Sequence, residues 1–253
     1  MTLPSFNLAG KVALVTGCNT GLGQAMAIAL AEAGADVVGI NRSAPTDAEK
    51  AIKAVGRKFF DLRADVGQTD KLAGLVSQAV ELAGRIDILV NNAGIIRRNE
   101  SIDFTEKDWD DVMDVNLKSV FFLSQAVARQ LIAQGQGGKI INIASMLSFQ
   151  GGIRVPSYTS SKSGVLGLTR LMANEWAKHG INVNAIAPGY ISTDNTTALR
   201  EDKERSTSIL GRIPAGRWGD AKDFKGPIVF LASEASNYVH GTILTVDGGW
   251  MGR

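Results

Sequence analysis

At 253 residues the chain is long for one average domain and short for two, a length that α/β folds fill as a single unit. Its 27 basic and 25 acidic side chains are interspersed and nearly cancel to a formal charge of +2, which leaves no electrostatic footprint for nucleic acid or an anionic membrane and points to a small-molecule partner. The lone cysteine, Cys18, excludes an intrachain disulfide, and neither a leader pattern in "MTLPSFNLAG" nor an apolar run near the ~18 residues of a bilayer span is present, so the chain reads as cytoplasmic and off the membrane.

Short β-branched runs alternate with stretches of helical period. "KVALVT" leads into a helix over residues 21–34, "DVVGIN" into a polar helix, and "KFFDLRADV" into "DKLAGLVSQAVELAG". In the last of these, Leu72, Leu75, Val76, Ala79 and Val80 recur at steps of three and four, which predicts an amphipathic helix lying on a sheet. "IDILVNNAG", "GKIINIAS" and "INVNAIAPG" are apolar without alternation, the pattern of parallel strands covered on both faces, and "GTILTVDGG" closes a set of about seven. Right-handed crossovers then predict one domain over residues 1–253, a Rossmann-type doubly wound parallel sheet with ligands beyond the carboxyl ends of its strands. Residues 191–219, rich in Thr, Asp and Arg, are the least sheet-like and are expected to cover the site.

The first strand runs straight into "TGCNTGLG", which places Gly17, Gly21 and Gly23 between strand and helix. Missing Cβ atoms let the backbone approach a pyrophosphate, and free N–H groups at a helix start attract its charge, so the loop is expected to bind a dinucleotide. Gly17 and Gly21 are four apart, a spacing different from G-x-G-x-x-G. Farther on, "SYTSSK" sets Tyr158 and Lys162 one helical turn apart, so their heads share a face. No cluster has metal-ligand spacing; Cys18 lacks a Cys or His partner, His179 suits a helix end, and Trp109, Trp176 and Trp218 read as packing.

Taken together, "TGCNTGLG", "NNAG" at residues 91–94, Ser145 and the Tyr158–Lys162 pair resemble the short-chain dehydrogenase/reductase family over essentially the whole chain. "NNAGIIRRN" and "TVDGGW" make it similar to the family's sugar-acid dehydrogenases, which implies hydride transfer between a nicotinamide and a hydroxyl or keto group of a 2-keto-3-deoxygluconate or 2-deoxygluconate type substrate. The resemblance implies Tyr158 as acid/base, Ser145 as the holder of the substrate oxygen, Lys162 as the group that lowers the phenol pKa and binds the nicotinamide ribose, and Asn116 as support for a proton path. Read from the residues alone, Asn116 is equally a structural polar residue inside a helix.

By motif, cofactor contacts are expected from Gly17, Asn19, Thr20, Gly21, Leu22 and Gly23, from Asn41 and Arg42, from Asp65 and Val66, from Asn92, Ala93 and Gly94, and from Ile191 and Thr193, besides Tyr158 and Lys162. Asn41 stands where NAD-specific sites often carry an acid, and "CNT" supplies no second cation, so NAD(H) is favoured, while Arg42 leaves NADP(H) possible. Arg97, Arg98 and Arg154 come from segments that border the pocket, and guanidinium groups grip carboxylates, so together with Ser145 and Tyr158 they are expected to meet an anionic substrate. The alternative for each arginine is a surface pair with an acid such as Glu100 or Asp103. A reductase of carrier-bound 3-oxoacyl chains and a non-catalytic dinucleotide sensor are the competing functions, and a homotetramer is what the resemblance implies for assembly.

Overall fold

The computed structural model describes residues 5–193 and 196–253; the first four residues of the N-terminal reading, and two residues of the expected cover, lie outside the described residues. The strands are β1 (Val12–Thr16), β2 (Asp36–Asn41), β3 (Phe59–Arg63), β4 (Ile88–Asn91), β5 (Gly138–Ile143), β6 (Ile181–Pro188) and β7 (Ile243–Val246). They form a 7-stranded sheet in the order β3-β2-β1-β4-β5-β6-β7 with every neighbouring pair parallel. The helices are α1 (Gly21–Glu32), α2 (Thr46–Ala54), α3 (Leu72–Ala83), α4 (Glu106–Met113), α5 (Ser119–Gln134), α6 (Pro156–Trp176), α7 (Thr197–Glu201), α8 (Lys203–Arg212) and α9 (Lys225–Ala232).

Burial explains why the inner strands carry no alternation. All of β1 and β4 is buried, because Ala13 and Val15 face one apolar layer with α1 and α9 while Leu14 and Leu89 face a second with α3 and α5. The edge strand β3 is only partly covered: Phe59 and Leu62 are buried on opposite faces, while Asp61 and Arg63 are exposed. Leu72, Leu75, Val76 and Ala79 of α3 are buried on the sheet, as their spacing predicts, whereas Val80 is half-buried at the margin of that face.

Because the chain leaves β1 toward β2 and β3 and then returns to β4 on β1's other side, the loops after β1 and β4 diverge and open a crevice at the strands' carboxyl ends. The segment expected as a cover is anchored by a parallel bridge between Ile191 and Gly219, and carries α7 and α8. Ile209 and Ile213 pack with Met146 and Trp250 in a cluster of their own. Among the described residues, no helix is long and apolar enough to cross a membrane.

Candidate active site

At the end of β1 the chain turns through Gly17 at φ +65°, where an added Cβ would stand 3.1 Å from Ala93 Cα. A Cβ on Gly23 would overlap the Gly17 carbonyl and the Asn92 amide, so the first turn of α1 is pressed against the loop that leads into it. Asn92 stitches the two strand ends together: its Nδ2 donates to Thr16 O at 3.0 Å and to Gly17 O at 2.9 Å, and its N–H donates to Thr16 Oγ1 at 3.0 Å. Thr20, the N-cap of α1, makes no capping hydrogen bond through its side chain, so the helix start offers its N–H groups to the crevice.

The crevice is a cavity of about 400 Å³. Every residue expected at the cofactor lines it: Gly17, Asn19 to Gly23, Asn41, Arg42, Asp65, Val66, Asn92 to Gly94, Tyr158, Lys162, Ile191 and Thr193, with Ser145 at the same end as Tyr158. Asn41 differs from expectation in what its amide does. The side chain is buried; its Oδ1 accepts from Cys18 N–H at 2.8 Å and its Nδ2 donates to Cys18 Sγ at 3.4 Å, so it braces the glycine loop instead of reaching outward. Burial pushes the Cys18 thiol up to about 11, which makes it inert packing. The outward groups here are Arg42, whose Nη1 lies 4.0 Å from Asp65 Oδ2, and Ser43, which accepts from Asn19 Nδ2 at 2.8 Å.

Ser145 follows β5 in extended backbone, its Oγ accepting from Leu147 N–H at 3.2 Å. Ser148 ties this turn to the next helix, because its Oγ receives the Ser145 N–H at 3.2 Å and donates to Lys162 O at 2.6 Å. Pro156 opens α6 with its preset φ, and Tyr158 and Lys162 follow on one face. Lys162 is buried; its Nζ donates to Ile143 O at 2.6 Å and lies 5.7 Å from the centre of the Tyr158 ring.

Burial dominates the electrostatics of the pair. Burial pushes Tyr158 up, opposed by its hydrogen bond with Ser145 and by the charge of Arg98. Lys162 Nζ donates one of its protons to a main-chain carbonyl, and burial lowers its own pKa to about 8. Tyr158 as a whole is only half-buried, but its phenol end reaches into the cavity wall, and desolvation there sets the direction.

Asn116 is fully buried in a π-turn, Asp114–Lys118, that joins α4 to α5. Its Oδ1 accepts from Ile95 N–H at 2.8 Å, and its Nδ2 donates to Ile95 O at 2.9 Å and to Ser161 Oγ at 3.4 Å. Asn116 therefore joins the loop after β4 to α6 behind the cavity, without lining it.

Two of the three arginines take the alternative left open for them, an ion pair with a nearby acid. Arg97 pairs with α4, its Nε 3.4 Å from Asp108 Oδ1 and its Nη2 3.3 Å from Asp111 Oδ2. Arg154, at φ +64°, sets its Nε 3.2 Å from Glu100 Oε1, and its carbonyl accepts from Asn99 N–H at 3.1 Å. Local acids thus neutralise both, while Arg98 lies near enough to Tyr158 to influence its proton. The cavity is also lined by Ser43, Ile95, Val115, Pro188, Gly189 and Thr196. Ser43 was within reach of sequence reasoning, as it follows Arg42 in "NRS"; Thr196 required the fold. Among the described residues, no three His, Cys, Asp or Glu side chains gather as a metal site.

The profile of the family described as enoyl-(acyl carrier protein) reductase matches residues 17–251. The 2-dehydro-3-deoxy-D-gluconate 5-dehydrogenase of Escherichia coli (strain K12) is 65% identical over 253 residues, 100% of both chains. The chain belongs to the short-chain dehydrogenase family. A crystal structure from Agrobacterium tumefaciens with bound NADP, assigned provisionally as a 2-deoxy-d-gluconate 3-dehydrogenase, is 59% identical with a TM-score of 0.92, covering 98% of this chain and 99% of that one. A gluconate 5-dehydrogenase from Burkholderia cenocepacia J2315, in complex with NADP and tartrate, is 40% identical with a TM-score of 0.93 and 98% coverage of each chain.

As a short-chain dehydrogenase the chain is a pyridine-nucleotide-dependent oxidoreductase, and its residues fit that cofactor. Side-chain-free positions 17, 21 and 23 and the open N-terminus of α1 form a cradle for the pyrophosphate, and the cavity runs from there to Ser145, Tyr158 and Lys162. When bound, the nicotinamide supplies the hydride acceptor or donor; positioning and proton handling fall to the chain.

Proposed function

We propose that this chain interconverts a hydroxyl and a keto group on a small sugar acid, with 2-dehydro-3-deoxy-D-gluconate the favoured substrate and Tyr158 the acid/base. The observation that carries the reading is the gathering of Ser145, Tyr158 and Lys162 at one end of a cavity whose other end is the glycine loop. Ser145 Oγ holds the reacting oxygen and stabilises charge developing there. Tyr158 gives its proton to that oxygen in reduction and takes it in oxidation. Lys162 steadies the site from the far side of the phenol, and Asn116, through Ile95, fixes the wall between them. The reading takes residues 1–253 as one catalytic domain, with 191–219 as its cover, working as a homo-oligomer. Identity of 65% to a 2-dehydro-3-deoxy-D-gluconate 5-dehydrogenase over the full length supports the sugar acid over the carrier-bound acyl chain that the family profile's description suggests. Retention of all three catalytic side chains speaks against a sensor. Purified protein assayed with the sugar acid and with a 3-oxoacyl thioester tests the choice directly.

For the cofactor, we propose a site that admits both NAD(H) and NADP(H), a change from the NAD(H) preference expected from the sequence. Asn41, which ends β2, is uncharged and turned inward, and Arg42 and Ser43 line the cavity, with Asp65 beside Arg42. NADP in the two related crystal structures agrees. Arg42→Ala should weaken NADPH binding about tenfold, the size of one lost charge-assisted contact, and leave NADH within about twofold. Equal losses for both nucleotides in a fluorescence titration would remove Arg42 from 2′-phosphate recognition.

For the substrate carboxylate, the arginine proposed is Arg98, because its charge is felt at Tyr158, the acid/base of the reading. Arg98→Ala should raise KM for the sugar acid about tenfold more than for the matching uncharged polyol, while Arg154→Ala should change the two alike. An unchanged acid-to-polyol ratio in Arg98→Ala would send the search elsewhere.

A further inference from the structure

The carbonyl of Thr193 is an unusually well-served acceptor. Thr196 N–H donates to it at 3.0 Å and Arg200 Nη2 at 3.3 Å. The Thr196 hydroxyl lies 3.0 Å from the same oxygen but 2.6 Å from Ile191 O, and its one proton serves the nearer acceptor. Arg200 is then the charged donor on Thr193 O, and charge-assisted bonds are the stronger kind. The same Nη2 lies 3.2 Å from Thr197 Oγ1, and the buried Nε makes no hydrogen bond. Among the described residues no carboxylate pairs with this half-buried guanidinium, whereas Arg97 and Arg154 each have an acidic partner.

What Arg200 holds faces the site. Thr193 lines the cavity, and its Cγ2 lies 3.9 Å from where a Cβ on Gly21 would stand, so the side chain looks across at the glycine loop. On the same short helix, Leu199 packs against the cluster containing Met146, the residue after Ser145. Arg200 thus ties a wall of the cofactor cavity to the helices of the expected cover.

We propose that Arg200 is a positioning residue for the dinucleotide: it fixes Thr193 opposite the glycine loop, so that the cofactor meets a preformed wall instead of having to order one. This inference rests on the pyridine-nucleotide reading of the cavity. Both contacts come from one nitrogen, Nη2, so a lysine ammonium reaching the same place could replace them in part.

The test is direct titration of NADH and NADPH into the full-length protein, for wild type, Arg200→Ala and Arg200→Lys, beside thermal unfolding without nucleotide. Arg200→Ala should raise Kd for both nucleotides about tenfold, Arg200→Lys should recover part of that loss, and the nucleotide-free midpoint should stay within about 2 °C of wild type. A Kd within twofold of wild type in Arg200→Ala overturns the proposal. So does a loss of affinity that tracks a lowered midpoint in both variants, since that is general destabilisation. If Arg200→Ala fails to fold, Arg200→Lys carries the test: weaker binding at an unchanged midpoint supports the proposal, and wild-type binding overturns it. Wild-type protein that binds neither nucleotide would instead sink the cofactor reading on which the inference stands.

Discussion

Tyr158→Phe should lower turnover by at least ~100-fold while leaving nucleotide affinity within about twofold of wild type. The substitution keeps the ring in its half-buried place on α6 and removes only the hydroxyl, together with its hydrogen bond with Ser145. A hundredfold loss corresponds to about 2.7 kcal/mol of transition-state stabilisation, the scale of one general acid. The pH profile should change with it. Burial raises the phenol pKa, so the free site holds the proton at neutral pH and is set for reduction; oxidation, which needs the phenolate, should climb as pH rises. Lys162, whose pKa burial lowers to about 8, gives up its proton at lower pH than the phenol, so the limb that follows Tyr158 lies on the more alkaline side. In the phenylalanine variant the alkaline rise in oxidation should disappear. Near-normal turnover with the rise intact would remove Tyr158 from the chemistry.

Gly23→Ala should be the most damaging single-methyl change in the cofactor cradle. Its Cβ would overlap the Gly17 carbonyl and the Asn92 amide, and the former is backbone that cannot swing aside. Either α1 withdraws from the glycine loop or the Asn92 bonds to Thr16 O and Gly17 O break, and both outcomes open the cradle. We expect a stability loss of about 1 to 3 kcal/mol, as for other overpacked sites, and at least a ~30-fold rise in Kd for either nucleotide. Gly74→Ala is the control: on α3 an added Cβ meets nothing within 4 Å, and affinity should be unchanged. Similar behaviour of the two variants in chemical denaturation and nucleotide titration would mean that the tight contact at Gly23 does not shape the cradle.

Much of this arrangement was legible in the chain because it is written in backbone requirements. Strand runs without alternation require helices on both faces, and the glycines before α1 can sit only where backbone must come close, so sheet and cradle followed from pattern. Ser145, Tyr158 and Lys162 were marked by the family resemblance; the one-turn spacing alone placed only Tyr158 and Lys162 on a common face. What the chain did not disclose depends on which partner a polar group selects among several within reach. Asn41 turned to Cys18 instead of outward, Lys162 donates to Ile143 O, and Arg97 and Arg154 took the ion-pair alternative that the sequence had left open. The π-turn that holds Asn116 has no marker in "DVNLKS", because a single extra residue in a helix leaves the apolar spacing around it almost unchanged.

The most direct test of the central claim is a steady-state comparison on the purified wild-type protein, following nicotinamide oxidation or reduction with 2-dehydro-3-deoxy-D-gluconate and with a 3-oxoacyl thioester, each with NAD(H) and NADP(H). The account predicts hydride transfer with the sugar acid at a kcat/KM at least ~100-fold above that with the thioester, with turnover lowered at least ~100-fold in Tyr158→Phe. Equal or better turnover of the thioester, or tight nucleotide binding with no transfer to either substrate, would contradict it.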